Sequence, residues 1–171
     1  MARSLRARIL RPAALVIAWS VATIATGASR EASAQSAEQR AVELDQQARA
    51  AFERGDFRQA AQRFQEACLA APHPATRYNE AMAWERAGEP ARAADAYERV
   101  LASEGLDAER VSAARERLAE LERSLAVLSI RQPAGGAASV AHVVDAGIPL
   151  RAHLQPGTHE VRIREASGNI V

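Results

Sequence analysis

Residues 48–72, ARAAFERGDFRQAAQRFQEACLAAP, and residues 81–105, AMAWERAGEPARAADAYERVLASEG, decide the fold because the second stretch echoes the first at an offset of 33. Ala48, Phe52, Gly55, Asp56, Phe57, Ala60, Ala61, Phe64 and Ala67 are matched in order by Ala81, Glu85, Gly88, Glu89, Pro90, Ala93, Ala94, Tyr97 and Val100. Alanines midway along one helix and at the start of the next let two helices approach closely. An aromatic four residues further on, Phe64 or Tyr97, fills the space above them. Burial of Phe64 is worth roughly 1.5–3 kcal/mol.

Working outward, Ala, Leu, Glu, Gln and Arg dominate from Ala37 to about Leu125, and apolar positions recur at three and four residues, the period of amphipathic helices. The pattern predicts helices over 38–54, 57–71, 75–87, 91–103 and 107–125. Gly55 and Gly88 suit the left-handed residue that ends a helix, Pro72 and Pro74 bracket the next break, and Asp56 and Asp107 are candidate caps. Breaks this short imply tightly joined helical hairpins. In the last helix Val111, Ala114, Leu118, Leu121 and Leu125 share one side, as expected of a cap that covers the end of a short repeat array.

These positions resemble the tetratricopeptide-repeat (TPR) family: a small residue midway along the first helix, glycine and an acid at the turn, an alanine opening the second helix, then an aromatic and a terminal proline. Residues 41–72 match well and 74–106 nearly as well, with Pro90 in place of the usual aromatic and no proline after the second repeat. The resemblance implies a mainly α fold of antiparallel helical hairpins, and a concave groove in which the first helix of each repeat meets an extended peptide or a partner helix. Carried over by position, that groove presents Asp45, Arg49, Phe52 and Glu53, then Tyr78, Asn79, Met82, Glu85 and Arg86. Asn79 falls where some family members hold a peptide backbone or terminal carboxylate. The lysines that complete such a clamp are missing, which argues against a carboxylate-terminal ligand.

After Leu125 the period changes. Val127, Leu128 and Ile130, then Val140 to Val144, Ile148 to Leu154, and Val161 with Ile163 read as strands. Pro156-Gly157 reads as the turn of a half-buried hairpin. Residues 126–171 are similar to the PEGA-type β domain, which often follows TPR segments in secreted bacterial proteins, although Ala146 is inserted in the Asp-Gly step and the final strand of that domain is missing. The expected organisation is therefore a leader at 1–34, TPR-like helices at 37–125 and a small PEGA-like β segment at 126–171.

The leader places arginines at 3, 6, 8 and 11 before an apolar run from Ala13 to about Ala28, and the triplet Ala32-Ser33-Ala34 before Gln35. That order is a secretory signal with cleavage after Ala34, implying a periplasmic or secreted product. A retained leader would instead anchor the chain in the inner membrane through residues 13–28, though this run is short of the ~20 residues that span a bilayer comfortably. From Gln35 onward 17 arginines face 20 acidic residues, the wrong sign for a nucleic-acid surface.

The chain has no lysine, which excludes phosphate-loop and Schiff-base lysine chemistry. There is no nucleophile elbow, glycine-rich phosphate cradle or cysteine pair, so no catalytic residue, metal ligand or cofactor is expected. Cys68 reads as a buried small hydrophobe. His73, His142, His153 and His159 lack ligand spacing and read as exposed strand or turn residues, and the scattered acids as helix surface charges. The expectation is a non-catalytic adaptor that binds a protein or peptide partner in the cell envelope. Two alternatives are an anchoring module working through the β segment, or a hydrolase using its histidines. The segment is short for a pocket of the ~300 Å³ or more that the latter needs.

Overall fold

The structure, a computed structural model, describes residues 18–132 and 135–167, with side chains from residue 33 onward. The chain divides into two compact units, residues 1–37 and 38–171. Five helices come first: α1 Ala18–Glu53, α2 Phe57–Ala70, α3 Pro74–Arg86, α4 Pro90–Leu101 and α5 Ala108–Glu122. Five short strands follow: β1 Ala126–Ile130, β2 Ala137–Val140, β3 Val143–Gly147, β4 Leu150–Leu154 and β5 Val161–Arg164. Helices then a small antiparallel β segment is the order expected from the change of period at Leu125.

The first helix departs from expectation. It is already helical at Ala18, where the described residues start, and continues unbroken to Glu53 where a start near Glu38 was expected, because no proline interrupts the stretch that joins the apolar run to the repeat. The arginine-rich start of the leader lies outside the described residues. Among the described residues no helix is long and apolar enough to cross a membrane.

The two glycine turns are alike at atomic resolution. At the end of α1, Gly55 (φ +83°) donates to the Phe52 carbonyl and Asp56 to that of Ala51. At the end of α3, Gly88 (φ +72°) donates to Glu85 and Glu89 to Trp84. Both are Schellman closures, in which a left-handed residue satisfies carbonyls the helix leaves free. Pro74 and Pro90 each open a helix, where the missing N–H costs nothing. Asp107 caps α5 by accepting from the Arg110 N–H at 2.9 Å, whereas the Asp56 side chain does not cap α2; its carboxylate accepts instead from Arg54.

One apolar cluster joins the helices. Ala48, Ala60, Ala61, Ala81 and Ala93 are wholly buried, and Phe64 and Tyr97 sit among them. α2 packs on α3, α3 on α4 and α4 on α5. The apolar side of α5 contributes buried Ala114 and half-buried Leu118 and Leu121 to the same cluster. Cys68 is buried, which pushes its thiol pKa up.

The β segment forms two small sheets, β1 with β4 and β3-β2-β5, all antiparallel. This corrects two readings. Val140 to Val144 is not one strand, because the chain turns at Ala141-His142 between β2 and β3, with Ala141 at φ +49°. The Pro156-Gly157 turn does not close a hairpin either, since β4 pairs with β1 while β5 crosses to β2. Ile130, Ala138 and Ile148 form the buried centre of this segment, with Leu128, Leu150 and Ile163 packed on it.

Because a Cβ would meet nothing at Gly55 or Gly88, alanine at either position costs only the left-handed backbone, about 1–2 kcal/mol. We expect equal losses for Gly55→Ala and Gly88→Ala in urea unfolding, and about 3–5 kcal/mol for Phe64→Ala. Unequal glycine losses would show that the two turns are not equivalent.

Candidate functional site

Five of the nine expected groove residues come together. Arg49, Phe52 and Glu53 from α1 and Asn79 and Met82 from α3 line a cavity of about 190 Å³ with Phe64 of α2. Successive α1 positions separated by three or four residues face the same way, so Arg49, Phe52 and Glu53 present a continuous strip. Asp45 and Arg49 continue it along α1 into a more open groove of about 700 Å³ that Thr76 and Pro72 border. Within it Thr76 donates to Asp45 Oδ1 at 3.0 Å and Arg49 Nε to Asp45 Oδ2 at 2.6 Å. The Arg86 guanidinium stands 5.7 Å from the Phe52 ring centroid, at the range of a cation–π contact.

Glu85 and Tyr78 are occupied in another way. Glu85 accepts from the Tyr97 hydroxyl at 2.9 Å and from Arg117 of α5, so one carboxylate ties three helices together. Burial, together with the Glu85 charge, pushes the Tyr97 phenol pKa up. Tyr78 stands edge-on to Tyr97 at 6.1 Å between ring centroids. Neither is among the residues that line the cavity.

The acids are not all surface charges. Glu80 on α3 is buried and accepts from Arg99 of α4 at 2.9 Å; burial raises its pKa, and Arg99 opposes the rise. The larger departure is a cluster between the helices and the β segment. Asp95 of α4 accepts three N–H groups: the His153 amide at 2.8 Å, His153 Nδ1 at 2.7 Å and His142 Nε2 at 2.7 Å. His153 is fully buried, and its Nε2 faces Glu122 Oε1 of α5 at 3.1 Å. Arg151 reaches Glu98 of α4 and Glu122. The expectation of exposed histidines is therefore wrong for His153 and His142: each answers a carboxylate distant in sequence, which residue spacing does not register.

Burial alone would raise the Asp95 pKa, but the hydrogen bonds from His142 and His153 outweigh it and hold the carboxyl at about 2. The hydrogen bond to Asp95 raises the His153 pKa above the usual 6.5, against burial and with help from Glu122. A carboxylate at each nitrogen favours the doubly protonated ring, which donates to both. Asp95, Glu98 and His153 place donor atoms within 4.8 Å of one another, close enough for one metal ion. Those donors are already engaged, Asp95 by three N–H groups and Glu98 by a guanidinium, so the set reads as an ion-pair network.

Comparison with protein-family models, with curated proteins and with solved structures returns no match to the chain.

Removing Asp95 leaves a buried imidazolium without one partner. Asp95→Ala should lower stability by about 3–5 kcal/mol in thermal or urea denaturation at pH 6. With its folded pKa below the ordinary 3.8, Asp95 contributes stability that is complete above about pH 4 and lost as pH falls through about 2. A carboxyl-carbon NMR titration of Asp95 checks that midpoint.

Proposed function

We propose that the chain is a non-catalytic adaptor of TPR type, exported to the cell envelope, that holds an extended peptide segment of a partner protein along α1 and α3. The observation that carries the reading is the cavity bounded by Arg49, Phe52, Glu53, Asn79 and Met82. These residues lie on the two helices that occupy equivalent places in the 33-residue repeat. Support for the repeat itself comes from the matched Schellman turns and the matched Phe64 and Tyr97.

The cavity's chemistry narrows the occupant. At about 190 Å³ it is below the ~300 Å³ at which small-molecule sites begin, and it suits a single side chain. Phe52, Phe64 and Met82 are apolar, so the anchor is a bulky aliphatic or aromatic residue, with Asn79 placed to pair with the peptide backbone and Arg49 and Glu53 at the sides. Binding of this kind concentrates its energy in the buried anchor.

Selection of random peptides displayed against the full chain tests this directly. The enriched sequences should share one large apolar residue, and Phe52→Ala or Met82→Ala should weaken their binding by about 30-fold, the equivalent of a 2 kcal/mol hot spot. Substitution at exposed Leu69 should leave binding unchanged. Enrichment of nothing, or of peptides indifferent to Phe52→Ala, would sink the proposal.

A further inference from the structure

β4 reaches the carboxylates of α4 and α5 through two ionisable side chains, Arg151 and His153. Along Leu150–Leu154, Leu150, Ala152 and Leu154 lie opposite Ile130, Leu128 and Ala126 of β1. The alternate residues, Arg151 and His153, reach the carboxylates of α4 and α5. From β1 the residue opposite His153 is Val127, which has no charge to offer. The groups facing the ring are thus Asp95 and Glu98 of α4, Glu122 of α5, Arg151 beside it on β4, and His142 from the β2–β3 turn through Asp95. Apolar contact keeps its strength across pH, whereas a contact made through an ionised ring does not.

We propose that protonation of His153 latches the β segment to the helices. With a proton on each ring nitrogen, His153 bridges Asp95 and Glu122. When one proton leaves, one of these carboxylates faces a lone pair, three acids (Asp95, Glu98 and Glu122) remain against the Arg151 guanidinium, and the β segment separates from α4 and α5. The two sheets keep their own apolar centre at Ile130, Ala138 and Ile148 and need not unfold.

The sign follows from the partners. A ring whose folded pKa stands above 6.5 contributes docking that is complete below pH 6.5 and lost as pH rises through the folded value. Asp95 stays ionised throughout that range, being held at about 2. The latch is therefore closed in mildly acidic surroundings and open in alkaline ones. It is independent of the α1–α3 groove.

The His153 amide reports docking, because its N–H goes to Asp95. On the full chain, the ring titration of His153 is followed by NMR from pH 5 to 9 alongside hydrogen exchange at that amide, corrected for the intrinsic pH dependence of exchange. We expect a ring pKa above 6.5 and protection that falls about tenfold per pH unit from 6.5 up to that ring pKa and then levels off, while amides within the β2–β5 pairing stay protected. His142→Gln should retain the titration-linked loss; His153→Gln should show low, pH-independent protection at position 153. A ring that titrates at or below 6.5, or protection that ignores the ring titration, overturns the latch in the unaltered chain, whether or not the variants fold. Protection restored at high pH by stoichiometric Zn²⁺ would also overturn it, by making Asp95, Glu98 and His153 metal ligands.

Discussion

Close approach of helices at alanine is the constraint from which the helical part follows. Ala48, Ala60, Ala61, Ala81 and Ala93 are all wholly buried in one cluster, and each offers only a methyl group at the helix contacts. Three aromatics, Phe64, Trp84 and Tyr97, fill the space among these alanines. A larger residue at any of these alanines would force the helices apart and leave the aromatics beside a void, and both errors are costly in an interior packed at crystal density. The glycine turns serve the same end: they reverse the chain within a few residues, so that the next helix returns onto the alanine face before it diverges.

Polar groups add cross-links between helices that already share the apolar cluster. Thr76 and Asp45 connect α3 to α1, Glu80 and Arg99 connect α3 to α4, and Glu85 holds Tyr97 and Arg117 together. These contacts are few and mostly part-exposed, and surface ion pairs of this kind stabilise little. The Asp95 cluster differs because its ring is fully buried and every donor has an acceptor. In such surroundings loss of a single proton changes the balance between satisfied and stranded charge. The groove and the cluster also differ in chemistry: α1 and α3 line an apolar cavity with polar flanks, while Asp95 and Glu98 of α4 and Glu122 of α5 meet the β segment.

The positions of α2 to α5, their glycine and proline boundaries, the burial of Phe64, Tyr97 and Cys68, the apolar side of α5 and the change to strands after Leu125 were legible in the sequence, because each depends on residues within one or two turns of each other. Arg49, Phe52, Glu53, Asn79 and Met82, named through the TPR resemblance, line one cavity in the structure. Tertiary structure alone decided the rest. That β4 pairs with β1 and β5 with β2 depends on which strands meet after crossing between sheets, and alternation along a strand specifies a face without specifying a neighbour. That Glu85 turns to Tyr97 and Arg117, and that His153 lies buried between Asp95 and Glu122, depends on contacts across 12 to 58 positions of the chain. A histidine alone in a strand has the same local signature whether it meets water or a carboxylate. The helices come first, and only their packing brings the charge that gives His153 its place.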